Sequence, residues 1–234
     1  MILKSRLEAI LKATENTDTL LDVGCDHAYL AIEAVKRGCA KRVIASDINE
    51  GPLKKAEENI NKAGLIREID IRLGSGIEVI SENEADTVVI AGMGGILITE
   101  ILDKNPALSG SVSAYILQPM NSKEDLRRYL INNGYTIDYE ILAEERGKIY
   151  SILKVLNKKQ PPYEKEIFYH TGNLLNLRNT DKELILKYIG NTARKFTKIK
   201  ESLKSAQTEN AKQASYIDML LEELVWLKSE ILKN

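Results

Sequence analysis

Residues 19–31 read TLLDVGCDHAYLA. The run 20–23, LLDV, is apolar but for one carboxylate and predicts a short buried strand. Gly24 follows at once, then Cys25-Asp26-His27, then a helix-like run from Ala28. A strand that ends in glycine and passes straight into a helix sets backbone N–H groups at the carboxyl edge of a sheet. Open α/β sheets bind their ligands at that edge. Asp22 and Asp26 place two carboxylates where a helix N-terminus favours anions. A phosphate would be repelled there, whereas an ammonium or sulfonium group would be held.

Working outward, residues 2–13 put Ile2, Leu3, Leu7, Ile10 and Leu11 on one helical face. The helix from Ala28 stops near Gly38. A strand is expected over 42–48, then a helix over 51–63 with Pro52 at its start and Gly64 past its end. The next strand, 69–73, runs into Gly74-Ser75-Gly76, and 87–91 runs into Gly92-Met93-Gly94-Gly95. A helix over 96–104 leads to strand 114–117, which ends in Gln118-Pro119-Met120-Asn121. After a helix over 122–132, two β-like runs, 135–145 and 149–156, form a hairpin. Strands and helices in alternation demand an α/β fold, a parallel sheet covered on both faces. The closing hairpin adds one antiparallel strand.

Lys158-Lys159-Gln160-Pro161-Pro162 reads as a linker, dividing a domain at 1–158 from a helical extension at 163–234. Apolar or small residues at 196, 199, 203 and 206 resume at 217, 220, 224, 227 and 231, the spacing of a coiled-coil seam. The gap at 207–212, with Thr208 and Asn210 and with Gln213 three residues further on, resembles a capping box. Two antiparallel helices, about 181–206 and 210–232, are expected to turn there; a single unbroken helix keeps the same register. His170 reads as no more than a loop or helix-edge residue.

The chain has 234 residues, 44% of them apolar, and a formal net charge of −1. It contains no apolar run of about 18 residues to span a membrane, and its start lacks the pattern of a signal peptide. Cys25 and Cys39 make no metal or redox spacing. Free thiols and a cytoplasmic location are expected. The overall charge draws in no nucleic acid, but residues 178–204 carry Arg178, Lys182, Lys187, Arg194, Lys195, Lys198, Lys200 and Lys204 against three acids. That stripe suits the phosphates of an RNA.

Asp47 closes the second strand, 23 residues after Gly24. An acid at this place holds ribose hydroxyls in nucleoside sites; capping the next helix is the plainer role. The dinucleotide fingerprint G-x-G-x-x-G is absent, since Asp26 and Ala28 stand where glycines would follow, so a dehydrogenase is not expected. An acid two residues before Gly24, with another closing strand two, suits the nucleoside of S-adenosylmethionine and its cationic centres.

Four segments, DVGCDHAYL (22–30), ASDINEGPL (45–53), IAGMGG (90–95) and LQPMN (117–121), occur in this order before a helical extension. Together they closely resemble the bacterial tRNA (adenine-22-N1)-methyltransferases. The resemblance implies a Rossmann-like class I methyltransferase fold, S-adenosylmethionine as methyl donor, and methylation of adenine N1 in the D-loop of tRNA. Three departures are visible: Ala31 for a frequent proline, Asp47 for a glutamate of some members, and Ser75 in GSGI where many read GDGL. Cofactor contacts are expected from Asp22, Gly24, Cys25, Asp47, Ile48, Ser75, Gly76, Ala91, Gly92 and Met93.

N1 lies on the Watson–Crick edge, so the base must leave its stack before reacting. Asp26 is the candidate to stabilise charge developing on the ring, with His27 and Tyr29 bonding or stacking on it. Asn121 joins them as a catalytic candidate, and Gly94, Gln118 and Pro119 are expected at the acceptor. The tRNA body falls to Arg178, Lys182, Arg194, Lys195 and Lys198. No metal and no membrane enter this reading, and a monomer or weak dimer is expected. Its competitors are a methyltransferase for a small molecule or another RNA, and a non-enzymatic nucleotide-binding adaptor whose coiled coil recruits a partner.

Overall fold

Strand β1 (Thr17–Val23) lies inside the sheet, between β2 and β4, with its last four residues buried. The computed structural model describes residues 5–14, 16–178, 180–203 and 211–233, and the helical backbone at 204–205. Ile2 and Leu3 of the expected first helical face, the Lys204 side chain, and the turn with Thr208 and Asn210 lie outside the described residues.

The chain continues through β2 (Ala40–Asp47), β3 (Ile69–Leu73), β4 (Thr87–Met93), β5 (Ala114–Pro119), β6 (Thr136–Glu145) and β7 (Lys148–Leu156). They form one sheet in the order β3-β2-β1-β4-β5-β7-β6. The pairs among β1 to β5 are parallel, and β7 runs antiparallel to both β5 and β6. One antiparallel strand is what the terminal hairpin implied. Strands covered on both faces read as continuous apolar runs, and all of β5 is buried.

On one face pack α1 (Ser5–Thr14), α2 (Tyr29–Lys36) and α3 (Glu50–Ala63), around Ile10, Leu11, Ile32 and Ile60. On the other pack α4 (Gly95–Asp103), α5 (Pro106–Ser111) and α6 (Lys123–Asn132), around Ile98, Leu102, Leu126 and Leu130. Sequence reasoning missed α5. Its residues, PALSGS, have the composition of a turn, but Asn105 caps it by accepting Leu108 N–H at 3.1 Å.

After β7 come α7 (Ile167–Thr171), a 3-10 turn at Leu174–Asn176, α8 (Lys182–Ser205) and α9 (Ala211–Lys233). Helices α8 and α9 are antiparallel: Lys182 Nζ lies 3.4 Å from Leu232 O, and Lys200 pairs with Asp218. An unbroken helix would hold Lys182 and Leu232 about 75 Å apart, which excludes it. The expected seam residues of α9, Ile217, Leu220, Leu224, Leu227 and Ile231, are all buried, whereas Ile199 of α8 is exposed.

The expected linker is fastened down. Gln160 Oε1 accepts Ile137 N–H at 2.9 Å, and Thr136 Oγ1 donates to Lys158 O. The helical cluster also takes in Leu142 of β6. Beneath it, Arg127 of α6 donates two parallel bonds to Glu140 of β6 (2.9 and 2.7 Å) and two more to Tyr169 O and His170 O of α7 (2.9 and 3.2 Å). Both charged side chains are buried. His170, expected at a loop or helix edge, joins three helices: its Nδ1 lies 3.6 Å from Glu124 of α6, its Nε2 is 3.0 Å from the Tyr216 hydroxyl of α9, and its ring meets Phe196 of α8 edge-on.

A buried pair that loses one partner strands the other charge. Arg127→Met is therefore expected to cost about 3–5 kcal/mol in a urea unfolding titration. Arg127→Met with Glu140→Leu should recover much of that loss.

Candidate active site

Where β1 gives way to α2, the backbone takes a left-handed conformation at every second residue: Gly24 (φ +72°), Asp26 (φ +51°) and Ala28 (φ +56°). Only glycine does so without strain; for other residues the cost is about 1–2 kcal/mol. The turn is held by Gly24 N–H and Cys25 N–H, both donating to Ser46 O at 2.8 Å, and by Ala28 N–H donating to Cys25 O at 2.8 Å. Asn59 of α3 adds a bond to His27 O at 3.0 Å. The first two amides of the turn are thus bound to β2. The expectation that they face a ligand is corrected here: the turn offers side chains, namely Asp26, His27 and Tyr29.

Those side chains line a cavity of about 910 Å³ at the carboxyl ends of β1 to β4. The first loop gives Asp22, Gly24, Cys25, Asp26, His27 and Tyr29, and the second gives Asp47 and Ile48. The third supplies Ser75 and Gly76, the fourth Ala91, Gly92 and Met93. Every expected cofactor residue lies on this wall, as do three of the four catalytic candidates. The rings of His27 and Tyr29 are 5.6 Å apart, and His27 Nε2 is 3.7 Å from Asp26 Oδ1.

The loop after β5 stands behind the cavity. Gln118, expected to read an adenine edge, is fully buried; its Oε1 accepts Gly92 N–H and an Arg6 N–H, each at 3.1 Å. Pro119 is likewise buried and pairs with Met93. Gly94 and Asn121 touch one another instead of the cavity: a Cβ on Gly94 would stand 3.0 Å from Asn121 Oδ1. A Cβ on Gly95 would stand 2.3 Å from Ser122 O, so only glycine lets α4 lie this close to the β5 loop. The N-cap position of α6 is Ser122.

Sequence reasoning missed Arg6 and Leu7, which reach the cavity from α1, and Leu97 and Ile101 from α4. No local pattern marks them, because which face of α1 meets the cavity is decided by its packing across β5, β6 and β7.

Asp22 is 4% exposed, and its Oδ2 has no hydrogen-bond partner. Burial, and then the charge of Asp47, raise its carboxyl to about 7. A buried oxygen without a donor fits a cationic or hydrogen-bond-donating ligand. Burial followed by the Asp22 charge pushes the Cys25 thiol up to about 12, so it stays neutral and is no nucleophile. Asp47 spends one oxygen on Asn49 N–H (2.9 Å) and also lines the cavity; it does not cap the next helix, whose N-cap is Asn49.

The basic stripe divides. Arg194, Lys195 and Lys198 line an open groove on α8 with Asn191 and Ile199. Arg178 instead stacks on the Tyr139 ring at 4.4 Å, and Lys182 is turned toward Leu232 O. Lys187 pairs with Glu144 at 2.7 Å. Among the described residues no helix is long and apolar enough to cross a membrane, and no three metal-binding side chains gather.

A sheet of this order, with an acid closing β2 and a cavity of about 910 Å³ over β1 to β4, is that of the class I methyltransferases. Within that class, the profile of the tRNA (adenine(22)-N(1))-methyltransferases matches residues 20–224. The tRNA (adenine(22)-N(1))-methyltransferase of Bacillus subtilis is 38% identical over 151 residues, which cover 64% of this chain and 63% of that protein, just under two thirds. The crystal structure of the B. subtilis M1A22 tRNA methyltransferase TrmK superposes with a TM-score of 0.83 at 30% identity, covering 97% of this chain and 99% of that one. The M. capricolum TrmK, solved with S-adenosyl-homocysteine, does so with a TM-score of 0.83 at 28% identity over 97% and 100%. The chain belongs to the tRNA (adenine(22)-N(1))-methyltransferase family.

The folded value of Asp22, about 7, exceeds the usual carboxyl value near 4. The folded chain therefore holds that proton more tightly, and the stability this gives is lost as pH rises from about 4 to about 7. In thermal unfolding without ligand, the Tm advantage of Asp22→Asn over the parent is expected to grow from about pH 5 to about pH 8. A constant difference across that range would show that Asp22 does not titrate there.

Proposed function

We propose that this chain transfers the methyl group of S-adenosylmethionine to N1 of adenine 22 in tRNA. The observation that carries the reading is the cavity itself, with an unpartnered buried carboxylate at Asp22 and a second acid, Asp47, closing β2. The cofactor supplies an electrophilic methyl group. Asp47 is the residue to hold its ribose, Asp22 its ammonium, and Ile48, Ser75 and Gly76 its adenine. Gly92 and Met93 border the point where cofactor and acceptor meet.

Adenine N1 attacks through a free lone pair, so the reaction needs no strong base, and positioning supplies most of the acceleration. The base becomes cationic. Asp26 stands at the rim with its side chain 71% exposed. Water screens its charge in the open site, and an incoming base would displace that water and strengthen its field. Tyr29, 41% exposed beside His27, offers the base a face to stack on.

The groove of Arg194, Lys195 and Lys198 is the proposed seat for tRNA phosphates. The charge of Lys195 lowers the carboxyl of Glu124, in the first turn of α6, after the larger effect of the His170 hydrogen bond. We take residues 1–158 as the methyltransferase domain and 163–234 as a coiled-coil extension that orients the tRNA. A cytoplasmic monomer or weak dimer is the form we propose.

Incubation with labelled S-adenosylmethionine and unmodified tRNA, followed by mapping, should place the label on adenine 22; label elsewhere, or none, refutes the assignment. In the same assay Asp26→Asn, which tolerates the left-handed backbone, should lower kcat about 100-fold and leave cofactor binding intact. Full turnover would remove Asp26 from the chemistry. Deleting the extension would strip cover from Leu142 and break the Arg127 network, so point changes test the groove more cleanly. Replacing Arg194, Lys195 and Lys198 by Gln should reduce the slope of log K for tRNA against log salt by about 2 to 3. An unchanged slope would place the tRNA on another face.

A further inference from the structure

A second cavity, of about 550 Å³, lies at the other end of the sheet. It opens beside the start of β6. There Thr136 pairs with Leu156 of β7, which in turn pairs with Ala114, the first residue of β5. The start of β6 therefore stands level with the amino end of β5, opposite the edge that carries the first cavity. The 158–162 segment, α7, the 3-10 turn and α9 complete the enclosure, so its walls come from the sheet and the helical extension alike.

Three aromatic rings stand in that wall. Phe168 meets Trp226 and Tyr163 edge-on, with ring centres 6.1 and 5.8 Å apart. Three carboxylates line it too. Glu140 is spent on Arg127, but the carboxylates of Asp138 and Glu164 take no hydrogen bond or ion pair among the described residues. Asp138 lies at the register shift between Ile137 and Tyr139 of β6, the kind of irregularity that re-aims a side chain. Lys165 is the one lysine or arginine on the wall, and its Nζ lies 4.4 Å from the centre of the Trp226 ring. An ammonium group on a methylene stem thus already occupies the aromatic face, within cation–π range.

The walls select by chemistry. Unpaired carboxylates turn away phosphates and other anions. The apolar rings give a hydrated metal ion no ligands, and among the described residues no three metal-binding side chains gather. An aliphatic amine meets both demands: its methylenes lie on the rings, and its ammonium groups reach the Trp226 face and the free acids. We propose that this cavity binds a linear aliphatic polyamine, with one ammonium group replacing that of Lys165 over Trp226 and another held by Asp138 or Glu164. The bound amine bridges sheet and extension, and stabilises their docking by mass action. The methyl-transfer reading does not depend on it.

Trp226 is the chain's one tryptophan, so its fluorescence reports on this cavity. Spermidine added to the full chain without RNA should change that emission saturably, and calorimetric titration should give the same affinity. Magnesium chloride at equal ionic strength should not, nor should hexanediol, which has the stem without the charge. The double variant Asp138→Asn, Glu164→Gln should bind spermidine about 3- to 10-fold more weakly. Lys165→Met should bind it about 2- to 5-fold more tightly, because the ring face is vacated; a lysine that merely braces the fold would give no such gain. Thermal unfolding shows that each variant is folded. The proposal is overturned by a spermidine response that is absent in both measurements, matched by magnesium or hexanediol, or unmoved by the acid variant. Equal or weaker binding in Lys165→Met overturns it as well. Saturation by a capped tetralysine peptide, with spermidine silent, would also overturn it and give the cavity to a basic protein segment.

Discussion

Ser46 O accepts two N–H groups, from Gly24 and Cys25, at 2.8 Å each, and the mouth of the cavity is shaped by that pair of bonds. They draw the start of the β1–α2 turn against β2 and force the backbone through left-handed conformations at 24, 26 and 28. Glycine meets that demand once. Asp26 and Ala28 meet it under strain, tolerated because β2, α3 and the buried Ala28 side chain over-determine the turn. The strain turns Asp26 and His27 toward the cavity while Asp22 stays beneath it. A glycine-rich phosphate turn would leave its amides open to an anion; here they are engaged, and carboxylates stand in their place.

That constraint explains which parts of the site were legible in the sequence. Residues that line the cavity because of their place at a strand end, such as Asp22, Asp47, Ser75 and Gly92, follow from the alternation of strand and helix alone. Local pattern sets where a strand stops, and parallel topology sends all such ends to one edge. Gln118 was misread because its strand ends at that edge too, yet β5 lies beyond the cavity and its amide points into the core. Arg6 was invisible for the opposite reason. It belongs to an ordinary amphipathic helix, and only long-range packing on the β5–β7 side of the sheet brings it to the wall. Of the fold, α5 was hidden by its turn-like composition, and α7 by a length too short for a period to show.

The helical extension depends on a different kind of bond. Arg127 and Glu140 would be costly to bury singly; together with the carbonyls of Tyr169 and His170 they form a set with few donors left over. Gly172 lies against the Glu140 carboxylate, where a Cβ would stand 2.3 Å from an oxygen. The start of the extension is thereby fixed to the sheet, and the pinned segment at 158–162 adds to this. A groove carried on α8 then keeps its bearing relative to the cavity, which a flexible linker would not allow. Orientation of this kind matters when one base must be delivered and the rest of a large substrate held by its backbone.

Charge gives the last connection between fold and chemistry. Methylation at N1 creates no net charge between donor and acceptor; it moves a positive charge from sulfur to the base. A site with one deep carboxylate would favour the donor alone and resist that transfer. This chain spaces its acids instead: Asp22 is buried, Asp47 is half-buried and shares an oxygen with Asn49, and Asp26 stands at the rim. Burial, and then the charge of Asp47, raise the Asp22 carboxyl to about 7, which would limit how strongly it binds a positive charge in the proposed reaction. Asp26 stands in water at the rim, and its field gains force when a base covers it. In the proposed methyl transfer the gradient from buried to exposed runs in the direction the charge would travel, and it is set by the same left-handed turn that lifts Asp26 away from Asp22.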